Sequence, residues 1–128
     1  MGWGLDAVAV GAGAAVGALL RWGLGLWLNP VFLSLPLGTL AANLVGGFLM
    51  GVALAGFSLL TELPIALRLL LTTGFLGGLT TFSSFSGEVF GLIQREAIGW
   101  ALAAIGLHVL GSLFMTWAGW ATVFALRH

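Results

Sequence analysis

Four long apolar stretches, separated by three short polar or proline-bearing turns, fill this chain and limit what it can fold into. An apolar run of about 20 residues can cross a bilayer as a helix. In that solvent every backbone polar group must be satisfied by the protein itself, which leaves only helices or closed barrels. Runs this long and continuous are helical. The chain has 128 residues, of which 60% are hydrophobic and 6% charged, so no polar surface remains for a separate soluble domain. Its mean hydropathy is +1.15. The sequence predicts an all-α membrane protein, a single four-helix transmembrane domain over residues 1–128 whose function belongs to the membrane helices themselves.

Several functions are excluded at this level. Net charge is zero, there is no Lys and no basic run, so nothing could neutralise a nucleic-acid backbone. No Cys is present, which removes disulfides, iron–sulfur clusters and thiol catalysis. The start, Met1-Gly2-Trp3-Gly4-Leu5-Asp6, lacks the basic head of a signal peptide, and Asp6 stands where a myristoylation signal needs Ser or Thr. The first span is therefore expected to stay in the mature protein.

Pro30, Pro36 and Pro64 fall where helices should stop or start. The pattern predicts helix 1 over about 5–28, helix 2 over about 37–60, helix 3 over about 65–94 and helix 4 over about 98–126. Asn29-Pro30, Thr61-Glu62-Leu63-Pro64 and Arg95-Glu96 mark the turns. Glycines recur within the spans as Gly13-xxx-Gly17, Gly47-xxx-Gly51 and Gly87-xxx-Gly91. Small residues at that spacing let helix backbones approach closely, which predicts a compact bundle.

Helix 3 holds the most unusual segment, Gly74-Phe75-Leu76-Gly77-Gly78-Leu79-Thr80-Thr81-Phe82-Ser83-Ser84-Phe85-Ser86-Gly87-Glu88. Gly77-Gly78 followed by Thr80-Thr81 weakens the helix and offers hydroxyls that compete for its backbone bonds. We expect helix 3 to be broken here, near mid-membrane, where non-helical backbone is tolerated only if buried in protein or lining a polar cavity. Freed carbonyls can hold a cation and freed amides an anion. Phe82 and Phe85 lie three apart, on one face of any continuing helix. They alternate with Thr81, Ser83, Ser84 and Ser86, all neutral hydroxyl donors, and their own ring edges are positive.

Helices 2 and 4 add polar stripes at helical spacing, Thr39 with Asn43 and His108 with Ser112 and Thr116. Asn43 should face the bundle, where its amide can donate. A lone imidazole such as His108 makes a poor metal site. Arg21 and Glu88 are the charges well inside the spans, the first suited to an anion's entrance and the second a candidate partner for it. The inventory has no nucleophile–base pair, carboxylate pair or phosphate loop, which argues against an enzyme.

The segments Gly38-Thr39-Leu40-Ala41-Ala42-Asn43-Leu44-Val45-Gly46-Gly47 and Gly74 to Ser86 closely resemble the bacterial Fluc fluoride channels, as do Arg21-Trp22 and Gly111-Ser112 to Thr116. The resemblance covers the whole chain. It implies passive fluoride export across the bacterial inner membrane, through two narrow pores in an antiparallel, dual-topology homodimer. It places Asn43, Phe82 and Phe85 on the ion path, with Thr39, Ser83, Ser112, Thr116 and Arg21 as further polar positions. It also implies a structural sodium ion, not transported, on backbone carbonyls of Gly77 and Thr80. His108 continues the polar track of helix 4. Fluoride is small and strongly hydrated, so a pore must replace its water with donors while avoiding a fixed cation that would hold it too tightly. The alternative is a proton-coupled exporter of the small multidrug resistance type. It needs a mid-membrane carboxylate in helix 1, where only the terminal Asp6 is available.

Charge counting yields a prediction about orientation. Lys and Arg of short loops favour the cytoplasmic side. Arg68 and Arg127 share the side of the termini, and Arg21 and Arg95 lie towards the other, so neither side is favoured. Reporters fused after His128 should appear on both membrane faces in comparable amounts. A C-terminus that is always cytoplasmic, with parallel neighbours in cross-linking, would contradict the antiparallel pairing.

Overall fold

The computed structural model describes residues 2–127; Met1, in the N-terminal segment read above, and His128, the fusion point, lie outside them. Four helical spans, Trp3–Val31, Leu37–Leu59, Ile65–Gln94 and Ile98–Leu126, are long and apolar enough to cross a membrane. The first is helix α1 (Trp3–Leu28), extended by a 3-10 turn at Asn29–Val31. The second is α2 (Leu37–Leu59) and the fourth α6 (Ile98–Leu126). The third span is segmented into α3 (Ile65–Leu69), a π-helical stretch over Leu70–Leu76, α4 (Gly77–Leu79) and α5 (Phe82–Gln94).

Local chemistry accounts for the turns. Pro36 is extended and so cannot continue a helix backwards from Leu37. The amides of Gly38 and Thr39, in the first turn of α2, have no partner within that helix. The Asn29 side chain reaches across the first turn and takes both, with its Oδ1 2.7 Å from Gly38 N and 3.2 Å from Thr39 N. Asn29 thus ends α1 and caps α2. Pro64 is also extended, and its carbonyl accepts from the Leu67 and Arg68 amides as α3 begins. In the third turn Glu96 has a φ of 61°, a left-handed conformation that lets the Glu96 and Ala97 amides fold back onto the Ile93 and Leu92 carbonyls.

The spans pack in two principal pairs, α1 against the third span and α2 against α6, with α1 also touching α2 and α5 touching α6. Both pairs depend on glycine. A Cβ on Gly17 would lie 2.6 Å from Leu79 N, and one on Gly78 would lie 2.9 Å from Ala14 Cα, so α1 and α4 meet backbone to backbone. On the other pair, Gly47 and Gly51 admit the Ser112 and Thr116 carbonyls of α6. A Cβ on Gly87 or Gly91 would meet nothing within the chain. The apolar core is thin, with Leu35, Leu40, Phe85, Val89 and Leu92 in one cluster and Ala42, Leu76 and Leu79 in another. Large side chains such as Leu19, Trp27, Leu110 and Phe114 face outward, as lipid-facing residues do.

Candidate functional site

Near the middle of the third span two residues leave the helical conformation. Thr80 has φ −89° and ψ 159°, Thr81 has φ −152° and ψ 124°, and the helix resumes at Phe82. Asn43 of α2 holds this extended backbone at two points. Its Oδ1 accepts from Thr81 N at 2.8 Å and its Nδ2 donates to Thr81 O at 3.0 Å. The Thr81 hydroxyl then caps α5, accepting from Ser84 N at 3.0 Å. In a continuous helix the Thr81 and Ser84 amides would donate to the Gly77 and Thr80 carbonyls, four residues back. Here those two carbonyls lose those donors to Asn43 and to the cap. The Gly78 carbonyl finds another, Arg21 Nε at 3.0 Å. The Thr80 amide and hydroxyl both return to the Leu76 carbonyl, at 3.0 Å and 2.8 Å. Thr80 is further fixed by α2, because its methyl fills the space a side chain on Gly46 would need.

The remaining Asn43 amide proton has a third partner. His108 Nδ1 on α6 lies 2.9 Å from Asn43 Nδ2. The His108 ring is tilted by 33° against Phe85 with centroids 4.5 Å apart, and Phe85 meets Phe82 edge-on at 5.4 Å. His108 and Phe85 are buried, while Phe82 is 76% exposed. These side chains, with Ser112 and Thr116, line a cavity of about 660 Å³ that Gly77, Thr80 and Thr81 also border.

Thr81 also lines a second cavity, of about 320 Å³. Arg21, Asn29, Thr39, Ser84 and Glu88 line it. Thr39 Oγ1 donates to Glu88 Oε2 at 2.6 Å, while its backbone amide donates to Asn29. Glu88 pairs with this hydroxyl; the ion pair with Arg21 that the sequence made conceivable does not form among the described residues, because Arg21 reaches Gly78.

A family profile described as "CrcB-like protein, Camphor Resistance (CrcB)" matches residues 8–120. The chain belongs to the CrcB family. It is 58% identical over 120 residues to a protein of Aromatoleum aromaticum named fluoride-specific ion channel FluC, covering 94% of this chain and 92% of the relative. It is 59% identical over 117 residues to a protein of the same name from Pseudomonas putida, covering 91% and 92%. A third, from Nitrosomonas europaea, is 53% identical over 116 residues, with 91% of each covered.

In this CrcB chain the residues singled out from sequence divide between the two cavities. Asn43, Phe82, Phe85, Ser112, Thr116, Gly77 and Thr80 gather at the first, Arg21 and Thr39 at the second. Ser83 lines neither; it is exposed, with Oγ 3.4 Å from Thr81 Oγ1. Donor accounting narrows the expectation further. Both Asn43 amide protons are engaged, the Thr39 hydroxyl proton goes to Glu88, and the Thr116 hydroxyl donates to the Ser112 carbonyl at 3.0 Å. Three residues matter more than the sequence suggested: Thr81 as the shared wall, Asn29 as a cap, and His108 as the partner of Asn43. For His108 the signal was present in its four-residue spacing from Ser112.

Replacing Asn43 with Ala removes both bonds to Thr81 and orphans a partly buried amide. Such a loss costs about 1–3 kcal/mol. Unfolding of purified Asn43→Ala in detergent should show a loss of that order, with faster hydrogen exchange at the Thr81 amide. Stability and exchange equal to wild type would contradict the clasp.

Proposed function

We propose that this chain is a fluoride-selective channel of the bacterial inner membrane, letting fluoride leave the cytoplasm passively and so lowering its toxicity. The observation that carries the reading is the first cavity, lined by neutral polar groups and phenylalanine rings, in a chain whose relatives are named for fluoride. Arg21 and Thr39 in the second cavity form the approach, with the Arg21 charge drawing anions towards it. Beyond Thr81 the path runs past Phe85 and Phe82 to Ser112 and Thr116, with Asn43 alongside. A neutral lining suits a channel, since the ion must be dehydrated yet released.

Two further parts of the reading concern assembly. The chain pairs with itself as an antiparallel homodimer with two pores, a second copy covering the exposed Phe82 and completing each path. The near-equal Arg count on the two sides supports dual topology. The Thr80-Thr81 interruption then acts as a mid-membrane break, and the two copies of it meet at the dimer centre. There the Gly77 and Thr80 carbonyls, deprived of their helical amides, hold a structural sodium ion. Hard cations take oxygen ligands, and among the described residues no cluster of three or more His, Asp or Glu competes for that role.

Liposomes loaded with fluoride and carrying the purified protein should empty rapidly, while chloride-loaded ones stay full. Phe82→Ile, which removes a ring edge, should slow fluoride efflux by about tenfold or more. Equal chloride efflux, or none of either ion, would overturn the fluoride assignment.

Exhaustive removal of sodium should also lower both fluoride flux and dimer stability, since bare carbonyls in a dry interior are costly. Potassium should not restore them. Unchanged flux and dimer stability without sodium would count against the structural ion.

A further inference from the structure

The bonds around Asn43 determine more than the position of Thr81. A backbone amide can only donate, so the atom facing Thr81 N at 2.8 Å must be the Asn43 oxygen. The Asn43 nitrogen therefore faces both Thr81 O and His108 Nδ1, at 3.0 Å and 2.9 Å. An amide nitrogen donates and does not accept, so Nδ1 of His108 must be the acceptor. In the neutral ring the proton then lies on Nε2. Nε2 has no hydrogen-bond partner among the described residues, yet none of their buried side-chain nitrogens or oxygens is both sealed and unpartnered. Although His108 is only 4% exposed, Nε2 is therefore not sealed, and the ring lines the first cavity.

We infer that the Thr81 backbone, acting through Asn43, holds His108 as its Nε2–H tautomer, so that His108 supplies the nitrogen donor on the fluoride path and Asn43 positions it. The inference rests on the fluoride reading of the first cavity. It also adds to that cavity a donor that Asn43 and Thr116 do not supply. Asn43 has no amide proton to spare, and the Thr116 hydroxyl proton is engaged by its own helix. A neutral N–H beside the Phe85 ring can replace part of fluoride's water without the grip of a fixed cation. The other tautomer would set Nδ1–H against the Asn43 NH2 and turn a lone pair towards the anion.

The test reads the tautomer and the flux separately. In protein labelled with 15N-histidine, the His108 ring, identified by loss of its signal in His108→Gln, should show an unprotonated Nδ1 and a protonated Nε2. In Asn43→Asp, whose carboxylate accepts instead of donating, Nδ1 should become protonated. Gln offers both an acceptor for Asn43 and an N–H for the cavity, so His108→Gln should keep fluoride efflux within about threefold of wild type, whereas His108→Leu should lower it by about tenfold or more. A protonated Nδ1 in wild type, an unchanged ring in Asn43→Asp, or full flux in His108→Leu would overturn the inference alone. No fluoride efflux from wild type would overturn the channel reading and the donor role with it.

Discussion

One side chain holding one peptide unit governs the centre of this molecule. By taking both the N–H and the C=O of Thr81, Asn43 keeps the chain extended at a point where a helix would otherwise be the cheapest way to satisfy its backbone. The consequences follow in order. The Gly77 and Thr80 carbonyls lose their helical donors, the Thr81 hydroxyl is free to cap α5, and the new helix start carries Phe82 and Phe85. The third Asn43 contact then ties the arrangement to α6 through His108. A polar residue that would be expensive alone in a membrane interior is here bonded at every donor, and the expense is offset by the local structure it defines.

That clasp requires neighbouring helices close enough to reach it, and glycine supplies the closeness. The Gly17 and Gly78 contacts seat α1 on α4 and bring Arg21 to the Gly78 carbonyl. Gly46 does the same for α2 against Thr80, so Asn43, one turn earlier on the same helix, reaches Thr81. Apolar burial within a single chain is slight, and the large side chains face outward. Close helix packing and interhelical hydrogen bonds therefore carry the specificity that a hydrophobic core supplies in a soluble protein.

Much of this was legible in the sequence. Apolar length and proline positions mark four spans close to those observed, because bilayer thickness and missing amides act locally. Gly77-Gly78-Leu79-Thr80-Thr81 marks a weak place in the third span for the same reason. What the sequence hid depends on distance in space. The pairing of Thr39 with Glu88 spans 49 positions and that of Asn43 with His108 spans 65. Nor does the polar stripe of α6 tell which of its protons are free, since the Thr116 hydroxyl bonds back to its own helix while Asn43 fixes the histidine. The π-helical stretch over Leu70–Leu76 has no marker in its residues that we can identify.

The central claim is that this neutral, clasped cavity conducts fluoride and rejects other halides. It is tested most directly by the zero-current potential of the purified protein in a planar bilayer, with a tenfold fluoride gradient opposed by an equal chloride gradient. The account predicts a zero-current potential at the fluoride equilibrium value, about 59 mV in magnitude for a monovalent ion. A value near zero, or one of the opposite sign that follows chloride, would contradict it.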